Sequence, residues 1–354
     1  MKAYKGFNDD LTCRGFQYEE GKSYHEDEAV MCESGFHACS NPIHCSDFYE
    51  PNMSVYHEVE IDGVTNGPSP QSKVCGTDIT IGKRLSVEEM CEAHFEYVKD
   101  HTNNFSGTCN AYKESTVIAD TATSVGRECA VAIGGAVSGY NHNAFKILNC
   151  SVASGKDYNS FQGKNYDIIA SGANCLISAK EFNTVACADE NMVNVGDRNV
   201  ITSNDRCSVE AGDFNVIATC TCSHVKAGDF NTIAGDQFST LEAGKNSIIV
   251  GRGRCSGGPN SVVVARGCGV QVKGGLGSIL VIAEEAPSWS STELVDYCVG
   301  VVDGVNIKPD TWYKLHDGEF VEVVERKTEP YETITIPNTN GVVLTDNEGE
   351  DDNG

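Results

Sequence analysis

Apolar and polar positions alternate with a fixed beat through the middle of the chain. From Gly155 to Val250 it divides without a gap into units of eight, among them GKNYDIIA, AKEFNTVA, VGDRNVIT, AGDFNVIA and AGDFNTIA. The seventh position reads Phe161, Ile169, Ile177, Val185, Val193, Ile201, Val209, Ile217, Val225, Ile233, Leu241, Ile249. Bulky apolar residues are about a quarter of the chain, so chance would fill roughly three of those positions. The fifth position is always Asn, Asp, Ser or Cys, as at Asn183, Asn199, Asn215 and Asn231. A shorter unit, GRGRCSG, and three more units carry the rhythm to Val281.

Eight residues hold one strand of about four residues and a tight turn, too few for a useful helix. The period of a strand puts the fifth and seventh positions on one side, facing inward. Stacked turns then bury an apolar ladder beside a polar one, which predicts a β-solenoid in which each repeat packs only on its neighbours. In alternate units the fourth position reads Tyr166, Phe182, Arg198, Phe214, Phe230, Asn246, while the intervening units have no such row. Alternate units are therefore equivalent: 16 residues and two strands per turn, a thin two-faced β-roll.

Outward positions differ between the faces. One carries Ile168/Ala170, Thr184/Ala186, Val200/Thr202, Val216/Ala218, Thr232/Ala234 and Ile248/Val250; the other is mostly polar, as in Ser208/Glu210 and His224/Lys226. A contiguous apolar strip marks an interface, so Val200, Val216, Thr232 and Ile248 are the expected contacts of a homo-oligomer, with a trimer in view. Cover by a flanking segment of the same chain is the alternative. Val117, Val125 and Ile133, eight apart, place the start of the roll before Gly155. The motif VAIG at 131–134 resembles that of trimeric autotransporter adhesin heads, which are also β-rolls, with about fourteen residues per turn. That resemblance implies the architecture and trimerisation, not adhesion.

The flanks follow other patterns. Residues 1–110 read as an α+β module, with strands around Tyr4–Phe7, Ser54–Ile61 and Thr77–Ile81 and a short helix opened by Asn41-Pro42. Ser86-Val87-Glu88-Glu89 is a capping box ahead of Met90, Cys91, His94, Phe95 and Val98 at helical spacing. That helix is expected to cover the open first turn of the solenoid. The solenoid spans 111–285. A β-hairpin cap turning at His316-Asp317-Gly318-Glu319 fills 286–326, and 327–354 is an acidic tail expected to be disordered.

Composition changes this picture in three places. The formal charge of −25 opposes direct binding to nucleic acid. It is unevenly spread: 8 Lys and Arg face 19 Asp and Glu in residues 1–110, 14 face 17 in 111–285, and 4 face 15 beyond. A nearly neutral roll excludes a DNA-mimicking rod. No apolar run reaches the roughly 20 residues of a membrane helix, and the first residues do not read as a secretory signal. The 17 cysteines then read as free thiols in a reducing cytoplasm. No cofactor is expected.

Several clusters carry candidate chemistry. Cys32, His37, Cys39 and His44 are soft ligands that could hold zinc, although their spacing matches no strong zinc signature; core thiols with a hydrogen-bonded histidine are the other reading. Glu181, Asp197, Asp213 and Asp229 recur every sixteen residues at one corner. They are either calcium ligands, as in repeat toxins, or acceptors for turn amides. The aromatic row broken by Arg198 reads as a corner stack ahead of a ligand platform. No P-loop, dinucleotide fingerprint, HExxH or hydrolase triad is present. His37, Tyr49 and Glu60 faintly resemble the order found in ADP-ribosyltransferases, which implies ribose contacts from the first two and a polarising carboxylate.

The segments AYKGF, CRGFQYEEGKSY, CESGFHAC, SKVCGTDITIGKRLS and IKPDTWYKLHDGEFVEV resemble an uncharacterised phage and prophage family with a similar N-terminal module, glycine-rich repeats and a C-terminal hairpin. The resemblance implies a phage-linked protein in the cytoplasm of a bacterial host and supplies no catalytic residue. The expected function is a non-enzymatic binding protein that acts through an oligomeric solenoid on a host or phage protein, such as a defence system. A transferase with the solenoid as its arm and a virion component are the alternatives.

Overall fold

The computed structural model describes residues 1–64, 72–101, the strand segments between 103 and 147, residue 149, 151–286 and 293–323. The structure is mainly β, with 52% strand and 8% helix. The expected disorder of 327–354 lies outside the described residues.

The N-terminal module is a six-stranded sheet in the order Ser23–His25, Asp78–Arg84, Ser54–Asp62, Lys2–Asn8, Phe36–Cys39, Lys73–Gly76. Alternation along Lys2–Asn8 feeds two cores: Ala3 and Phe7 join Val59, Ile61 and Ile81, while Tyr4 joins Ile43, Tyr56 and Met90. Asn41 caps the 3-10 turn Pro42–Asp47 as expected. The capping box also forms. Ser86 Oγ accepts the Glu89 N–H at 3.2 Å, and Glu89 accepts the Ser86 N–H at 2.9 Å, which starts the helix Val87–Asp100.

Beyond it runs a β-solenoid of about 9 turns with 16-residue repeats. Consecutive strands lie on opposite faces, and each pairs in parallel with the strand two along: Ile201 opposes Ile217, which opposes Ile233. The seventh positions are fully buried along one continuous core. The fifth positions are buried too, and most pass a hydrogen bond to the next turn. Asn183 N–H donates to Asn199 Oδ1 at 2.8 Å, Asn199 to Asn215 at 2.7 Å and Asn215 to Asn231 at 2.6 Å. The interior stays thin because these amides satisfy backbone that would otherwise be buried without partners.

Three expectations change. The roll begins with the strand Asn103–Ser106, which pairs with Ser115–Ala119. Its early turns are shorter: Val117 opposes Val131, which opposes Phe145, fourteen residues apart, and sixteen begins at Val137–Ala153 on one face and Phe145–Phe161 on the other. A count of eight therefore slips register there, and Ile133 stacks beside Ala119 and Ile147 rather than in the row of Val117. The third change is the helix. It does not cover the open end but lies along the second face, with His94 Nδ1 2.7 Å from Ser160 Oγ and Lys146 Nζ 2.8 Å from Glu92. Leu176 and Met192, apolar breaks in a polar face, draw it there.

At the far end the strand Leu294–Val301 pairs antiparallel with Ile279–Glu285. The hairpin Tyr313–His316 and Glu319–Glu322 turns at Asp317-Gly318. Tyr313 and Ile307 enter the roll core there.

Candidate functional site

The first face runs uncovered along the roll. Its outer row is held in register strand by strand, Ile168, Thr184, Val200, Val216, Thr232, Ile248, Val262, Ile279, and then Val301 on the antiparallel strand. A parallel row reads Ala170, Ala186, Thr202, Ala218, Ala234, Val250, Val264, Val281, Val299. Val200 is 46% exposed, Val216 50% and Ile248 49%; Thr232 is exposed as well. No charged side chain stands in either row. Nine strands at about 4.8 Å make a strip of about 40 Å, and a contiguous exposed apolar strip marks an interface. Among the described residues, no segment of this chain lies over it.

The second face is covered where it is apolar. Leu176 is 1% exposed beneath the N-terminal module, beside Met90 and Cys91. The pair Leu176 and Met192 was the sequence signal for that docking, legible as two apolar outward positions on an otherwise polar face.

The corners turn out to be structural ladders. Asp213 N–H donates to Asp197 Oδ1 and Asp229 N–H to Asp213 Oδ1, both at 2.7 Å, and Lys245 N–H to Asp229 Oδ1 at 2.9 Å. The carboxylate row is thus engaged with turn amides, one turn to the next, and Glu181 joins through its own N–H to Asn165 Oδ1. The glycine at the second position makes this possible, since a Cβ on Gly212 would overlap the Asp197 carboxylate. The aromatic row is continuous through Arg198. Tyr166 and Phe182 stack at 5.0 Å, Phe214 and Phe230 at 4.8 Å, and the Arg198 guanidinium sits 5.6 Å from Phe182 and 5.3 Å from Phe214.

In the N-terminal module, His37, Tyr49, Cys32 and Cys39 all line one cavity of about 620 Å³. Glu60 does not. It is exposed opposite Lys2, three residues beyond the Lys5–His57 pair and so about 10 Å along the strand. The triplet that resembles a transferase is therefore not assembled. Both nitrogens of the His37 ring are occupied: Nδ1 donates to Gly35 O at 3.1 Å, and Nε2 accepts the Cys32 N–H at 2.8 Å. Burial, with Lys73, Lys5 and Arg14 nearby, holds His37 below the usual histidine range. His44 is buried elsewhere, 2.9 Å from Ser72 Oγ. Burial, with the Cys39 thiol beside it, pushes Cys45 up. Among the described residues no three His, Cys, Asp or Glu side chains converge to hold a metal ion, and the cysteines are free thiols. No helix among them is long and apolar enough to cross a membrane.

A family described as a domain of unknown function, DUF7666, matches residues 1–93. That stretch takes in the whole sheet and half of the helix, which sets the N-terminal module apart from the repeats that follow. No curated protein and no solved structure matches the chain.

Proposed function

We propose that this chain is a non-enzymatic interaction protein that works as an assembly of its own copies, joined through the uncovered apolar face of the roll. The observation that carries this reading is the paired row of Val, Ile, Thr and Ala side chains, in register over nine strands and exposed at Val200, Val216, Ile248, Ile279 and Val301. A second copy is the favoured occupant. The strip is flat and uncharged, its repeat matches itself at every step of about 4.8 Å, and the same chain already covers its other apolar patch. The resemblance of the N-terminal segments to a phage and prophage family supports a site of action inside a bacterial host, with a host or phage protein as the target of the assembly.

Light scattering coupled to size exclusion tests the assembly. The wild-type chain is expected at a multiple of 38.0 kDa, and Val216→Lys at one copy with its β-rich circular dichroism unchanged. A wild-type protein that elutes as a single monodisperse copy at all concentrations overturns the reading.

A further inference from the structure

The lining of the cavity in the N-terminal module holds more basic than acidic residues, in a very acidic module. Three of the eight Lys and Arg in residues 1–110 line it, Lys5, Arg14 and Lys73. Lys2, Lys22, Lys83 and Arg84 outside it are each matched by a carboxylate within 4.0 Å. Lys5 and Arg14 have no carboxylate partner among the described residues. Lys5 is only 7% exposed. Its ammonium donates once, to His37 O at 3.0 Å, and rests over the rings of Phe7 and Tyr18 at 5.3 and 6.0 Å. A buried ammonium has three protons to place, and a lone carbonyl with two ring faces leaves it short of an anion. Of the two acids in the lining, Glu26 is turned to the Gly35 amide at 2.8 Å and Glu33 stands exposed.

The walls add a second preference. Phe16 and Phe48 line the cavity yet remain about half exposed, 50% and 47%. Phe16 is fixed in T-shaped contact with Tyr18 and Tyr24 at 4.8 and 5.5 Å, so its half-exposed ring is held in place rather than left to rotate. The gap itself exists because the strand Lys2–Asn8 meets Phe36–Cys39 at one pair only, Tyr4–Cys39. Gly6 keeps it open to Tyr49, whose ring lies where a Cβ would be, at 2.6 Å.

We propose that this cavity binds a small anion carrying a planar ring, a mononucleotide, with its phosphate on Lys5 and Arg14 and its base against the exposed aromatic wall. The volume lies within the range that encloses small ligands. Ring stacking tolerates any base, so selectivity among bases is expected to be slight. The site is independent of the roll and of its assembly.

Titration calorimetry on the full-length chain tests it with AMP, GMP, CMP and UMP, with adenosine and inorganic phosphate as separate arms. The four nucleotides are expected to bind with Kd below about 1 mM and to weaken with added salt. Adenosine and phosphate alone should each bind at least tenfold more weakly. Lys5→Met should lower nucleotide affinity at least tenfold, and Arg14→Gln, an exposed substitution that leaves the module folded, should lower it severalfold. Absence of nucleotide binding at millimolar concentration overturns the proposal. So does adenosine binding as tightly as AMP, or affinity unchanged in Arg14→Gln.

Discussion

The two faces of the roll are made from one repeat and end in opposite conditions. On the second face the outward positions from Ser160 to Glu242 are polar except at Leu176 and Met192, and the N-terminal module sits on those two residues and on Ala144 before them. On the first face the outward positions are apolar or threonine from Ile168 to Val301, and the chain places nothing over them among its described residues. An apolar patch that a protein means to hide within itself is short and local, with the covering element encoded nearby. A patch as long as the solenoid follows the repeat instead, and only another body of similar length can cover it.

That contrast can be broken from either side. Lysine at Val216 should have the largest effect, complete loss of the assembly with little change in the fold, because in a single copy the position is already half exposed. Leu176→Ala is the mirror experiment. It should leave the assembly intact and cost about 2–4 kcal/mol of stability, read from the denaturant midpoint; an unchanged midpoint would mean that the module does not dock on this face. Asn199→Ala probes the interior that the faces share. It leaves the Asn183 N–H without its acceptor and should cost about 1–3 kcal/mol, with hydrogen exchange quickening at the neighbouring turns first.

Acid should loosen the covered face. His94 is buried between helix and roll, and burial holds it well below the usual histidine range. The folded state therefore keeps it neutral, while the unfolded chain takes up a proton near pH 6.5. Its contribution is fully present above about pH 6.5 and is lost as pH falls below that. His37 is lowered too and acts in the same direction. Melting temperatures measured from pH 8 to 5 should fall, and less steeply in His94→Gln; identical slopes would remove His94 from the account. The smallest change is expected from Glu210→Ala, on the exposed polar stretch, within about 0.5 kcal/mol of wild type.

The repeat was legible because burial imposes a period on the chain, and Ile201, Ile217 and Asn215 declare it without help. What stayed hidden obeys no period. The fourth position of every unit from Tyr158 to Asn246 takes a left-handed backbone, with φ between 53 and 61°. A run of Tyr, Phe, Arg and Glu gives no hint of that, since glycine or asparagine is the usual occupant. The conformation is held by the stack itself, through bonds such as Phe214 N–H to Asp229 O at 3.0 Å. The side of the helix was misread because capping an open end is a general need, whereas Leu176 and Met192 are a local instruction. The cavity was half visible: His37 and Tyr49 line it, but Glu60 lies elsewhere, and the ammonium of Lys5 becomes notable only once its burial is known.

The alternation of strands gives the chain a parity. Excising sixteen residues, such as 199–214, removes one whole turn, shortens the bare strip by about 4.8 Å and returns every later side chain to the side it had before. Excising eight exchanges the sides: Val216 and Ile248 would move to the polar flank, and His224 and Lys226 would come out among the valines. Length in such a molecule can drift only by even steps, so copies that differ by whole turns should still recognise one another along the strip, and copies that differ by half a turn should not.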